Sequence, residues 1–279
     1  MHKTIVMLVV IGVGFVHGKA QRVLDETHLK CSYIYTSLKD TISRTQKDDL
    51  LYLQIGKNLS KCYSYYTYQS DSLSSTKDGI ETSRQLFKKA MAETKGVPQG
   101  GFPYKRMRTC VYKNYPQGKM TVTDGISSQD YIYEDVLNAQ NWYVLDSIKT
   151  ILDYTCQKAK CDFRGRQWTA WFSTEIPISD GPWKFSGLPG LIMEAYDKGR
   201  QYHFLINGLE NVKREKIVFS KSNTGNKKFE KTNRKDFLKA WKRYLMDING
   251  YIKLETGIDL GGKTSQKVMQ YDLIELDYK

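Results

Sequence analysis

The chain is expected to be mainly β within an α+β class, as a curved antiparallel sheet or half-open barrel with a C-terminal amphipathic helix packed on it. Three observations carry this expectation. Short runs rich in tyrosine, valine, isoleucine and threonine recur between Gly, Pro, Asn and Asp turn signals, about ten strand-like segments against two helical ones. One helix pattern near the C-terminus has a clear apolar stripe of period 3.6. The stretch "GPWKFSGLPGLIMEAYD", residues 181–197, crowds glycine and proline together and then alternates apolar residues with period two.

The first twenty residues, "MHKTIVMLVVIGVGFVHGKA", read as a secretory signal: Lys3 is the positive start, Ile5 to Val16 the apolar core, and Gly18 and Ala20 the small residues before a cut. A membrane anchor would need about 20 apolar residues, more than this run supplies. No cysteine lies at the cut, which disfavours lipid anchoring. Residues 21–279 are then expected to form a single β-rich domain in an exported, soluble chain. Removing the signal takes 279 residues to 259 and the net charge from +13 to +11. Such a charge favours anionic partners, namely phosphorylated lipid headgroups, acidic glycans or nucleic acid, or else a solvated basic surface with no specific ligand. Export makes nucleic acid the least expected of these.

Strand signals begin with "KCSYIYTSL" and "DLLYLQIG" and continue into the tyrosine-rich "KCYSYYTYQS" at 61–70. After the break "SSTKDG", "ETSRQLFKKAMAE" has helical spacing, with Leu86, Phe87, Ala90 and Met91 on one face. A hairpin is expected around Pro116 to Gly118, and further strands at "DYIYED" and "NWYVLD". In "KTILDYTCQKAKCDFRGRQWTAWFS" a second hairpin is expected, with Gln157 to Lys160 as its loop and Gly165 as a bulge. The strongest hairpin runs from Leu191 to Ile206 around "DKGR", where Gly199 suits a positive φ. In "NRKDFLKAWKRYLMDING", Phe237, Leu238, Trp241, Tyr244, Leu245 and Ile248 form one stripe, Thr232 or Asn233 caps it and Gly250 closes it. "MQYDLIELDY" reads as a final edge strand.

The five cysteines are Cys31, Cys62, Cys110, Cys156 and Cys161. An oxidising compartment permits disulfides, and the odd count leaves one thiol unpaired. Cys156 and Cys161 at the ends of the expected hairpin would face each other within disulfide reach, about 4.5 Å at Cα. Free thiols are the alternative. A metal site is a weaker one, since C-x4-C offers two ligands where zinc takes about four. A bridge between Cys31 and Cys62 on neighbouring strands is also conceivable.

The glycines of residues 181–192 fit neither phosphate motif. A Walker loop or a dinucleotide fingerprint opens a helix, whereas Leu191 to Tyr196 alternate as a strand. The residues read instead as a stiff corner: Gly181, Pro182, Gly187, Leu188, Pro189, Gly190, Leu191 and Ile192 are its structural set. Pro182 and Pro189 fix φ, and "LPG" matches the centre of a type II turn. Trp183 and Phe185 either plug an end of the sheet or, with Trp171, contact a ligand.

Catalytic raw material is scarce. His28 and His203 are the histidines after the signal; His203 sits in a strand of alternating aromatics and reads as a packed or surface imidazole rather than a catalytic base. There is no G-x-S-x-G, no H-E-x-x-H and no carboxylate pair singled out by spacing. No cofactor, metal or catalytic residue is expected.

The motif "GPWKFSGLPGLIMEAYD", preceded by "CQKAKCDFRGRQWTAWFSTEIPIS", resembles the signature of the GLPGLI family of exported bacterial proteins, with Gly187 to Ile192 matching in full. "LLYLQIGKNLSKCYSYY", "YKNYPQGKMTVTD" and "GLENV" extend the resemblance over most of the chain. It implies a periplasmic, envelope-bound protein of no settled activity, with genes that accompany outer-membrane receptor and transport systems. The function expected is a non-catalytic binding or accessory role, toward an apolar or amphipathic ligand or an outer-membrane transport partner, with peripheral membrane contact. The rivals are a cysteine-dependent hydrolase or redox enzyme and a structural protein bound to anionic surface polymer.

Overall fold

The structure, a computed structural model, describes residues 22–38, 46–94, 102–222, 228–257 and 272–278. The expected signal at residues 1–20 lies outside them. Strands β1 (Val23–Ser37), β2 (Lys47–Gly56) and β3 (Ser60–Ser64) are followed by helices α1 (Tyr65–Ser74) and α2 (Lys77–Glu93). Then come β4 (Cys110–Lys113), β5 (Lys119–Ile126), β6 (Gln129–Val136), β7 (Tyr143–Ile151), β8 (Tyr154–Phe163), β9 (Arg166–Ser173), β10 (Leu191–Asp197) and β11 (Tyr202–Val218). The short β12 (Glu230–Lys231) and helices α3 (Arg234–Met246) and α4 (Ile248–Thr256) complete the described elements. All twelve strands join one sheet in the order β12-β6-β5-β4-β3-β2-β1-β11-β10-β9-β8-β7, antiparallel except for the β12–β6 pair. The sheet curls but does not close, so the expected class holds in its open form.

Register shows which face is the core. Cys31, Leu53, Cys62, Val111, Val122 and Tyr133 stand opposite one another from β1 to β6, and all are buried. In the other half Ala159, Ala170, Ala195, Phe204 and Tyr35 form a second buried row. The intervening residues face outward: Lys158, Trp171, Glu194, Leu205 and Ile34 make one outer row. Helix α3 lies over the core face at β5 and β6, where Phe237 packs against Tyr131 and Tyr133 at 5.6 and 5.5 Å between ring centres.

Several local expectations are corrected. Residues 154–163 form one continuous strand, β8, because Ala159 and Cys161 alternate inward while Lys158 and Lys160 point out. The expected Cys156–Cys161 disulfide is therefore absent; all five cysteines are free thiols. Five residues along a strand span about 16 Å, beyond disulfide reach, and the odd separation turns the two side chains to opposite faces. Cys31 and Cys62 lie two strands apart, both facing Leu53, and are not bridged. Gly165 is no bulge: Arg164 and Gly165, at φ 54° and 77°, form the two-residue turn between β8 and β9. Around "DKGR" the left-handed residue is Arg200, φ 49°, rather than Gly199.

Tyr65 to Ser70 leave the strand pattern for α1, because Ser64 caps the helix by accepting from the Thr67 amide at 3.1 Å. On α2 only Ala90 of the expected apolar face is buried, while Phe87 and Met91 are exposed. The C-terminal helical pattern splits at Asp247, which ends α3 and caps α4, so Gly250 lies within the second helix; Asn233 is the cap of α3. Residues 272–278 run as an irregular segment instead of an edge strand, packed into the core through Leu273, Glu275 and Tyr278.

Candidate functional site

The glycine–proline corner joins β9 to β10 across the core face. Trp183, at φ 52°, and Gly187, at φ 92°, take left-handed backbone that turns the chain back on itself. Gly190 is required for proximity, since a Cβ there would stand 2.1 Å from the Ser173 carbonyl oxygen. Its φ is not positive, so the expected type II turn at "LPG" is replaced by close chain approach. The buried Lys113 ties the corner down: its ammonium donates to Asp180 at 2.5 Å and to the Gly181 and Phe185 carbonyls at 2.5 and 2.8 Å.

Trp183 and Phe185 point inward and are 2% and 0% exposed. They pack with Phe163, Trp168 and Phe204; Trp183 stacks on Phe204 and Phe185 meets Trp168 edge-on at 4.7 Å. The Trp183 amide donates to the Cys62 sulfur at 3.2 Å. Of the two placements open to these side chains, a plug in the core or a lip at the surface, both rings take the first. Trp171, the third candidate, is on the opposite face, so the structure does not bring the three together.

Beside the plug lies a feature that local sequence did not indicate. Lys184, 0% exposed, donates to Asp135 at 2.8 Å and to Glu275 at 2.5 Å. Arg164 also pairs with Asp135, and Arg234 binds Glu275 at 2.8 Å and Asp277 at 2.7 Å. Burial pushes the Lys184 ammonium down, but Glu275, Tyr133 and Asp135 outweigh it and hold the ammonium above the ordinary lysine range. Burial likewise pushes Asp135 up, while Lys184 and Arg164 hold it below the usual carboxylate range. Nearby, Arg166 donates to the Leu273 carbonyl at 2.7 Å and pairs with Asp197 at 3.0 Å. The network therefore fastens the 272–278 segment to the corner and to β9.

On the outer face Glu194 accepts from Lys149 and lies 2.7 Å from His203 Nε2. The two partners sit diagonally on the β10–β11 ladder, so this pair was readable from the expected hairpin and was missed. Burial alone raises Glu194, but His203 and Lys149 hold it below the usual range. Lys149 crosses Trp171, its ammonium 4.6 Å from the ring centre, and Lys158 stands over the same ring. Trp171 is thus roofed by lysines, and its buried indole N–H has no acceptor among the described residues. Glu194→Gln is expected to cost about 1–2 kcal/mol at pH 7 through loss of two charge-assisted bonds. Because the folded carboxyl is the stronger acid, that stability exists above its unfolded pKa and is lost as pH falls through the folded value. Thermal melts of both proteins should therefore converge toward pH 3.

Two cavities flank these features. One, about 320 Å³, lies between α1, β3 to β5 and the side chains of Ser220, Lys221 and Phe229, with Tyr63, Tyr68, Lys105, Arg108 and Asp124 in its wall. Cys110 lines it too, but burial raises its thiol, and among the described residues no histidine lines the cavity. The other, about 150 Å³, lies under α3 between Trp183, Tyr133, Trp241 and the 272–275 segment. Burial pushes the other thiols up as well, Cys156 to about 11 and Cys62 and Cys161 to about 12. Among the described residues no cluster of three or more metal-ligating side chains occurs, and no helix is long and apolar enough to cross a membrane.

A family model described as "Protein of unknown function (Porph_ging)" matches residues 164–194, from the β8–β9 turn through the corner to Glu194. No curated protein matches the chain. Two solved structures are similar. "Structure of PNGF-II in P21 space group" has a TM-score of 0.49 and 9% identity, over 78% of this chain and 34% of that one. "Structure of PNGF-II in C2 space group" has a TM-score of 0.47 and 9% identity, over 79% and 33%. The chain thus spans about a third of the length of those solved chains. Over the segment that carries the corner it is similar to a family whose function is unknown.

Proposed function

We propose that this protein is a non-catalytic, exported envelope protein of the GLPGLI type, acting as an accessory factor that docks on an outer-membrane receptor or transport partner. One observation carries the preference for docking over ligand enclosure: the corner's own Trp183 and Phe185 fill the core face, and about 150 Å³ remains beneath α3. Drug-sized ligands occupy pockets of roughly 300 Å³ or more, and a lipid chain would need an apolar one. The larger cavity reaches that size, about 320 Å³, but Lys105, Arg108, Asp71 and Asp124 stand among the aromatic side chains of its wall, so it is not the apolar site a lipid chain needs. The family likeness rests on the matched segment, which contains Gly187 to Ile192.

Native mass spectrometry of the purified protein, paired with envelope pull-downs, tests this reading. Capture of a defined membrane protein with no co-purifying lipid is expected; stoichiometric lipid and no protein partner would overturn it. The cysteine-enzyme rival makes the opposite prediction about thiols. With every thiol buried and raised, native protein at pH 8 should react with a thiol reagent far more slowly than free cysteine, and all five should react once denatured. One fast-reacting thiol in the folded protein would revive that rival. Binding to anionic polymer that collapses with added salt would favour the structural rival instead.

A further inference from the structure

The two ends of the sheet are finished differently. At one end β6 is covered by β12 and by α3. At the other, β7 ends the sheet order, and among the described residues no strand pairs with its outer side. It is nine residues long, and Tyr143 and Ile148 are 75% and 68% exposed. Its apolar side chains lie on both faces: Tyr143 and Leu145 pair with Lys160 and Lys158 on the outer side, Val144 and Ile148 with Ala159 and Gln157 on the core side. Long, apolar, exposed edges are what soluble proteins ordinarily blunt, because their free N–H and C=O groups accept another strand. One strand in, Lys158 and Lys160 have no carboxylate ion pair among the described residues, Lys158 standing over the Trp171 ring, while Lys149 on β7 itself is already paired with Glu194.

We infer that β7 is a docking edge that takes an extended peptide strand of alternating apolar and acidic residues from a partner protein as a thirteenth strand. Main-chain hydrogen bonds to β7 would supply the pairing, Val144 and Ile148 the apolar cover on the core side, and Lys158 and Lys160, beyond Tyr143 and Leu145 on the outer side, the selection for acidic side chains. The bulge between Leu145 and Ile148 divides the edge into two short pairing stretches and so limits self-association of flat edges. This inference rests on the docking role proposed above and names the surface that performs it.

The test uses the full chain and a fluorescent octapeptide of alternating valine and glutamate, followed by polarisation. Binding is expected, roughly tenfold weaker for the Ile148→Glu protein and absent for the valine–lysine counterpart. A valine–glutamate peptide N-methylated at alternate residues lacks the ladder donors, and it should not bind. Equal binding of the methylated peptide would reduce the contact to surface charge and overturn strand addition, as would no binding at all. A dimer in sedimentation that Ile148→Glu dissolves would assign the edge to a second copy of this chain instead. If Ile148→Glu protein captured the same envelope partner as the unaltered protein, the edge would be excluded while the docking role survived; if neither captured any, the docking role would fail too.

Discussion

Lys184→Met is expected to lower folding stability by about 3–5 kcal/mol, because removing one partner of a buried ion pair strands the others in the interior. Lys184 has no exposed surface, and its loss leaves Asp135 and Glu275 facing each other with only Arg164 and Arg234 to compensate. A loss of this size is a large part of the roughly 5–15 kcal/mol that keeps a domain folded. Urea denaturation at pH 7 reads it directly as a lower midpoint at unchanged slope. The sign with pH is also set. Asp135 is more acidic folded than unfolded, so its contribution is present above its unfolded pKa and lost as pH falls through the folded one. The gap between the two proteins should therefore narrow in acid. A variant within 1 kcal/mol of the parent at pH 7 would show that the network does not hold the corner (about 1 kcal/mol being the size of an ordinary surface effect).

That network also marks where sequence reading ends. Lys184 stands 49 residues from Asp135 and 91 from Glu275, and nothing local to any of the three signals the others. Patterns confined to one strand or one hairpin were readable: the β10–β11 pair from its alternation, the β4–β5 turn around Gly118, the start of α3 from Asn233. The structure departs from local pattern where two local preferences compete. Tyr65 to Ser70 have strand-forming composition, yet Ser64 offers the first free amides of a helix an acceptor, and the cap wins. Between Cys156 and Cys161 the polar Gln157, Lys158 and Lys160 read as loop, yet Ala159 restores the alternation of a half-buried strand and keeps the chain straight. The Glu194–His203 pair was within reach of the same reasoning, since both lie on one face of a hairpin whose register was nearly legible.

Trp183→Ala separates the two readings of the corner aromatics and carries the other large expected effect. As a plug, the indole contributes packing against Phe163, Trp168, Phe185 and Phe204, and its removal should cost about 3–5 kcal/mol. Because Trp183 also borders the 150 Å³ cavity under α3, the space vacated would open onto that cavity and leave an aromatic-walled void, between Phe163, Trp168, Phe185 and Phe204, that an added aromatic molecule could fill. Added indole should then raise the melting temperature of the Trp183→Ala protein while leaving the unaltered protein unmoved, since binding to the folded state alone stabilises by mass action. A ligand-contact role predicts the reverse pattern: near-normal stability, with weaker capture of whatever the protein binds. The left-handed backbone at Trp183 makes the outcome sharper still. An alanine there carries a similar backbone strain, so the lost stability reports the missing ring and not relief or addition of strain, and indole rescue would locate the effect in the plug itself.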